Sequence, residues 1–476
     1  MRKLFRSFLY EISIMGLLLL SLYSSLQILA YGFPTLAIHT PTGIIPLQQP
    51  YVIGLPLIHA VKQLWMHGFT RIIHLPMSTS MGYDFGFFDY AFHHVWYNHG
   101  QNLYNSILQQ TWMKQRHYPI IKANQYVYPP QFAVLFSFFS LLPFQVAALV
   151  WNSLGLLFTW ISALLLATLA ANGRRALLLR MTIIAMVMSY YGVFNDLNVS
   201  NSNWLILFLL SSFYVLHIRY KKTSLAGIAL GLAVLCKVTP IMIVVYFILK
   251  KEWNLVLSTF LTIVIITMGT GLIIGFYPII YYIFHLGAMS VQSMMNGPVP
   301  YNLSLIGLLQ LLPAFRFAPM SHPIVLVVYY GYLTIMAGAI YGTLRKTNHS
   351  MYDIALSSIA VLAFSPLIET THTVVLLITM TSLVAILSNT TKHPNNHLGY
   401  KQMPRWITVL PVIFLSIVMV YSSFGFLLFI TSYVIPRWWP MSHLYWNPFL
   451  LYTTFALVLM WPWFRPKDLI SFHEYR

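Results

Sequence analysis

Apolar runs of roughly twenty residues, separated by short basic clusters, recur along nearly the whole chain, and each can cross a hydrocarbon layer about 30 Å thick as a helix rising about 1.5 Å per residue. A segment in hydrocarbon has no water for its peptide groups and must satisfy them within itself, which a helix does. The pattern predicts an all-α polytopic membrane protein of about 12 transmembrane helices. Composition agrees: 58% of residues are hydrophobic, only 8% are charged and mean hydropathy is +0.71, whereas roughly a quarter of a soluble protein is charged. No stretch is long enough for a separate soluble domain, so residues 1–476 read as one membrane domain. The net charge of +18 would suit nucleic acid, but the Lys and Arg sit in clusters between apolar runs, which is how cytoplasmic loops are marked. Cys236 stands alone, which rules out an intramolecular disulfide and an all-cysteine metal site.

Taken in order, Met1–Arg6 is a basic start before an apolar run at 12–31, read as an uncleaved signal anchor with its N-terminus inside. Residues 32–130 then form a long first extracytoplasmic loop. Within it, 53–65 and 87–97 mix aromatics with His or Lys and predict short helices lying in the membrane interface. The run 132–142 is too short to cross and predicts half a hairpin or a tilted short helix. After spans at 144–171 and 177–193, a polar turn from Phe194 to Asn203 lies outside. Between the basic clusters at 219–222 and 250–251 the chain must cross an even number of times, yet each arm is too short to cross alone. This predicts a hairpin or broken helix with Lys237 at its tip or bend, and Pro240 supplies the break. Further spans are expected at 255–276, 324–343, 354–367, up to 387, 407–433 and 449–464, with the C-terminus inside and the protein in the plasma membrane.

This topology sorts the nine acidic residues. Glu11, Glu252, Asp353, Asp468 and Glu474 fall beside inner basic loops, where solvated ion pairs are the ordinary explanation. Asp84, Asp89, Asp196 and Glu369 face outward and are candidates to converge on one site. Asp84 and Asp89 lie in an aromatic stretch, Met81 to Tyr90, and carboxylates near lipid are rarely kept without a use. The bland reading of Asp84 is a cap on a helix beginning near Phe85.

At these residues the chain resembles the C-type glycosyltransferases, and specifically the polyprenol-phosphate-mannose-dependent mannosyltransferase family 87. The resemblance rests on Asp84-Phe85 before Phe87-Phe88, Gly100 with Leu103-Tyr104, Tyr126 to Pro130, the Gly-rich run from Gly227 to Pro240, Asn302 to Gly307, and Ser365 to His372. It covers about 84–387. The Gly-Gln-x-Asn that usually precedes the fifth span is replaced here by the turn 195–203, so acceptor specificity does not carry over. The resemblance implies a C-type glycosyltransferase fold and an inverting transfer of a hexose, mannose first, from a polyprenyl-phosphate sugar donor to a lipid or glycan acceptor outside the membrane.

Such chemistry needs a base for the acceptor hydroxyl and cations for the donor phosphate. The resemblance assigns the base to Asp84, whose aromatic surroundings would raise its pKa. Lys237 at a helix break suits the phosphate, although a lysine snorkelling to the interface is an equal alternative. His372 could bond the same phosphate or the acceptor, with Glu369 one turn earlier orienting it; a lone His at a helix start is as often structural. Asp89, five residues from Asp84, leaves a different helix face, so a shared proton would require a broken helix. Asp196 and Asn302 read first as turn residues, and Tyr128 as supporting. No cofactor is required by the sequence, and a divalent cation would bind only if dispersed carboxylates came together. The competing reading is a flippase or transporter of a lipid-linked sugar, with Lys237 and Asp196 along a path.

Overall fold

The computed structural model describes residues 2–32, 83–115, 126–170, 176–285, 302–310, 321–345, 350–390 and parts of 451–459. Every regular element among them is helical. The order is α1 (Arg2–Gly32), α2 (Tyr83–Asn98), α3 (Ser106–Gln115), α4 (Pro130–Phe136) running into a 3-10 turn (Ser137–Leu141), α5 (Phe144–Ala170), α6 (Ala176–Ser189) and α7 (Tyr191–Asn198). Then come α8 (Asn203–Tyr214) ending in a π-turn (Val215–Arg219), α9 (Thr223–Cys236), α10 (Ile241–Leu249) and α11 (Trp253–Ile274). The last are α12 (Leu305–Gln310), α13 (His322–Leu344), α14 (Ser350–Ala363), a 3-10 turn (Thr370–Val375) and α15 (Leu376–Thr390).

Three of these helices are long and apolar enough to cross a membrane: Val146–Ala170, Trp253–Ile274 and Pro323–Leu344. A fourth crossing is formed if α6 and α7, bent by 43° at their junction, count as one. The other apolar helices are shorter, so the expectation of about 12 full spans is met only in part. The spans expected at 407–433 and most of 449–464, and the interfacial helix expected at 53–65, lie outside the described residues. The run after Pro130 is short, as its length requires, and ends at Leu141. Outward faces of α11 and α13 are strongly apolar, with Leu272 81% and Val327 72% exposed, which suits contact with lipid.

The helix carrying Asp84 departs from expectation. The pattern predicted a helix lying in the interface with its rings at headgroup depth. Instead Phe85, Phe88 and Phe92, at helical spacing, are fully buried against Phe132, Phe139 and Trp151. Of its large apolar side chains described, only Trp96 and Tyr97, near its end, are exposed. Six aromatic rings in contact bury far more apolar area than headgroup contact would, so α2 docks as a plug on α4 and α5. That packing fixes the position of Asp84.

The broken segment follows the prediction. Helix α9 stops at Cys236, Lys237 to Pro240 form the break, and α10 continues from Ile241. Helices α9 and α11 run side by side in the same direction: Ser258 Oγ donates to Ser224 O at 2.7 Å, and a Cβ on Gly231 would lie 2.8 Å from Thr262 Cβ. Their starts, and with them the clusters around Lys222 and Lys251, therefore share one end of the molecule. His217 confirms this, since it lies within electrostatic reach of Glu252, Lys221, Asp353 and Lys250 together. Lys237 stands at the opposite end, at the tip of the two arms.

Candidate active site

The turn between α7 and α8 organises that opposite end. Asp196, in the last turn of α7, accepts from the backbone N–H of Trp204 at 2.8 Å and of Asn203 at 3.3 Å, two donors that the start of α8 leaves unpaired. It also accepts from Asn203 Nδ2 at 2.9 Å. Asp196 thus caps the helix that follows it, is 1% exposed, and serves as a structural anchor.

Asn201 reaches from this turn to α2. Its Nδ2 donates to Asp84 Oδ2 at 2.5 Å, and the Asp84 backbone N–H donates to Val199 O at 3.0 Å. The carboxylate therefore takes a hydrogen bond from a residue 117 positions away, a partner that the capping reading does not require. Tyr128 OH donates to Asn201 Oδ1 at 2.9 Å, and the Tyr128 carbonyl accepts from Tyr104 OH at 2.9 Å. Lys237 Nζ donates to Asn203 Oδ1 at 2.7 Å and stands 5.7 Å from the centre of the Tyr128 ring.

Glu369 and His372 arrive from the turn after α14. Asn302 holds that turn: Nδ2 donates to Pro366 O at 3.2 Å, and Oδ1 accepts from the N–H of Ile368 at 3.1 Å and of Ser304 at 3.0 Å. Gly307 packs so tightly on Asn302 that a Cβ there would lie 2.2 Å from the Asn302 carbonyl oxygen, which explains the spacing of the pair. Glu369 and His372 close a capping box at the start of the 3-10 turn. His372 Nδ1 lies 3.1 Å from Leu367 O and 3.3 Å from Glu369 N, so backbone groups hold one side of the ring, while the Glu369 side chain accepts from the His372 backbone N–H in the same capping box. Only Nε2 remains for a ligand.

Exposure divides the predicted residues into two sets. Asp84, Tyr128, Lys237, Glu369 and His372 each keep a partly exposed surface. Asp89, Asp196 and Asn302 are buried. Helix α2 is unbroken from Tyr83 to Asn98, which puts Asp89 about 140° around the axis from Asp84, so the condition for a shared proton is absent.

Electrostatics tie the accessible set together. Burial raises the Asp84 carboxyl from the ordinary range to about 8, with the Glu369 charge adding to it; the Asn201 hydrogen bond opposes the shift, Asp196 adds to it, and Lys237 opposes it. Glu369 is likewise raised by burial, and Lys237 opposes that shift. Three of the four acids expected outside, Asp84, Asp196 and Glu369, therefore converge on Lys237, and His372 feels the same lysine. Among the described residues no group of three or more His, Cys, Asp or Glu is placed to hold a metal ion. The residues that sequence reasoning missed are Asn201 and Asn203. Their signal was an Asn-Ser-Asn triplet at the mouth of a membrane helix, where an amide is costly unless partnered.

Among the described residues, helices long and apolar enough to cross a membrane and a cluster of ionisable groups gathered at one end define a membrane protein with a functional site at that end. Over residues 126–369, just over half of the chain, the sequence matches the model of glycosyltransferase family 87, and the chain belongs to that family. It is therefore a glycosyltransferase. Tyr128, Asp196, Asn201, Asn203, Lys237, Asn302 and Glu369 fall inside the matched stretch, whereas Asp84 and His372 lie outside it. No curated protein and no solved structure matches the chain. Family membership leaves the transporter reading without support.

Proposed function

We propose that this glycosyltransferase moves a hexose, mannose being the sugar the resemblance implies, from a polyprenyl-phosphate donor to a lipid or glycan acceptor on the extracytoplasmic face. The side follows from charge: the end holding Lys221, Lys222, Lys250 and Lys251 is the cytoplasmic one, so the cluster at Asp84 opens outside. The N- and C-termini then lie inside, and the first loop, 32–130, carries the base.

The acceptor hydroxyl gives its proton to Asp84 Oδ1, the oxygen left open by Asn201. The acceptor oxygen attacks the anomeric carbon from the face opposite the phosphate, the new glycosidic bond forms as the bond to phosphate breaks, and the configuration inverts. Polyprenyl phosphate leaves with the electron pair. Lys237 Nζ has donors to spare beyond Asn203, and it meets the charge that builds on the leaving oxygen. In the tautomer whose Nδ1 accepts the Glu369 N–H, and not in the one whose Nδ1–H donates to Leu367 O, His372 adds a donor through Nε2–H. Glu369 tempers the lysine and Tyr128 shields it. One observation carries this reading: an accessible carboxylate with one oxygen anchored and one free, two residues along the same turn from the anchor of an accessible lysine.

The test is sugar transfer in proteoliposomes loaded with a polyprenyl-phosphate hexose. Asp84→Asn should cut transfer by about 10²–10⁴-fold and leave donor binding intact; turnover at the wild-type rate would remove Asp84 as the base.

A further inference from the structure

The triplet Asn201-Ser202-Asn203 separates two groups that burial and opposite charge should drive together. Asn201 is 4% exposed. Its Oδ1 accepts from Tyr128 OH at 2.9 Å, Asn203 Nδ2 at 3.0 Å and the Ser202 N–H at 2.6 Å. Its carbonyl accepts from Trp151 Nε1 at 3.0 Å and its N–H donates to Asp196 O at 2.9 Å. Three donors converging on Oδ1 fix the amide against a flip, so the group facing Asp84 is the NH2. Asn203 is held with equal firmness by Asp196, which accepts from both its Nδ2 and its N–H, and it offers Oδ1 to Lys237.

A neutral donor and a cation act differently on a buried carboxylate. A cation in contact lowers the pKa by about 1–3 units and cancels the charge, which leaves a weak base. An amide N–H favours the ionised form and leaves the charge uncancelled. Lys237 forms no ion pair with Asp84, Asp196 or Glu369; its ammonium is taken by Asn203.

We propose that Asn201 and Asn203 are positioning residues, an amide pair that holds Asp84 and Lys237 on neutral partners so that neither charge cancels the other, and that turns Asp84 Oδ1 toward the acceptor. Asn201 sets the base and Asn203 sets the phosphate ligand. This rests on the reading of Asp84 as base.

The experiment follows the Asp84 carboxyl directly. Protein labelled with carboxyl-13C aspartate in nanodiscs is titrated by infrared difference spectroscopy, and the Asp84 band is assigned by its loss in Asp84→Asn. Asn201→Ala should raise the midpoint by on the order of one pH unit, which is the loss of one charge-assisted hydrogen bond. Asn201→Asp keeps the oxygen that accepts from Tyr128 and Ser202, so the turn survives, and the added like charge should raise the midpoint further. The acidic limb of kcat/KM should move with the midpoint while the donor KM stays near wild type. Asn203→Ala should do the reverse, raising the donor KM roughly tenfold without raising the midpoint. A uniform loss of rate at every pH with an unmoved midpoint in both Asn201 variants would show a merely structural turn and overturn the inference. If Asp84→Asn is inactive in that case, the base reading stands and the inference alone falls; if Asp84→Asn turns over normally, both fall.

Discussion

The two ends of the molecule each place a lysine near an aspartate and treat the pair in opposite ways. At the basic end Lys250 Nζ lies 2.6 and 2.7 Å from the two oxygens of Asp353, and Tyr246 OH donates to the same carboxylate at 2.6 Å. The pattern predicted a solvated ion pair there, but the two side chains are only 17% and 14% exposed. Burial is tolerable because the charges cancel in contact and the tyrosine satisfies a remaining lone pair. At the other end Lys237 and Asp84 meet amides and not each other. Direct contact makes a tie between helices. On the proposed reading, separation keeps two charges available to a substrate.

The largest effect should come from the separated end. Asp84→Asn should cut sugar transfer by about 10²–10⁴-fold, the usual size of a general-base contribution, as read by product formation in proteoliposomes. The remaining wild-type signal should rise with pH through about 8, because the base works only when its carboxyl has lost its proton. A flat profile from pH 6 to 9 would break the comparison at its reactive side.

Next is Lys237→Ala, expected to raise the donor KM and also lower kcat, together about 10²-fold, as an electrostatic contact to the leaving phosphate does. Lys237→Arg should recover part of the loss, because the charge returns with a different shape. A normal donor KM in the alanine variant would show a lysine that merely snorkels.

The contact pair should respond in stability and not in chemistry. Asp353→Asn leaves Lys250 buried without its partner and should destabilise the fold by about 3 kcal/mol, measured by thermal unfolding in detergent. Transfer per folded molecule should change less than twofold. Replacing both Lys250 and Asp353 by apolar residues of similar size should restore most of the stability, since the pair is neutral as a unit.

The smallest effect is on the stability of the Asp84 site itself. A carboxyl whose folded pKa is raised from 3.8 to about 8 binds its proton more tightly in the folded state, so its contribution is fully present below 3.8 and is lost as pH rises through 8. Asp84→Asn removes that loss. The variant should melt a few degrees above wild type at pH 9 and little above it at pH 5.

Local features of the site were legible and its partnerships were not. Lys237 could be placed at a bend because two basic clusters and Pro240 constrain a short segment, and all three lie within thirty-odd residues. Asp84 and Asp89 could be separated because helix geometry depends only on spacing. The convergence of Asp84, Asp196 and Glu369 followed from which side each turn occupies. Asn201 could not be matched to Asp84, nor Asn203 to Lys237, because hydrogen bonds across 117 and 34 positions are decided by how helices pack. The same gap hid the burial of α2: its aromatics suited headgroups as well as a core, and only the matching rings of α4 and α5 decide between them.

The short arms of the broken segment also set a depth. Helix α9 spans 14 residues, about 21 Å, so in the proposed topology, with its start at the inner surface and its axis along the membrane normal, it would lift Lys237 only about two thirds of the way through a 30 Å hydrocarbon layer. On the proposed reading, a phosphate bound there would lie within the outer leaflet, below the plane of its neighbours' headgroups, and the donor would have to sink to meet it. Thin bilayers bring the two levels together. Turnover should therefore be higher in vesicles of short-chain lipids than in those of long-chain lipids of the same headgroup, which makes acyl-chain length a control on this enzyme that acts through neither substrate.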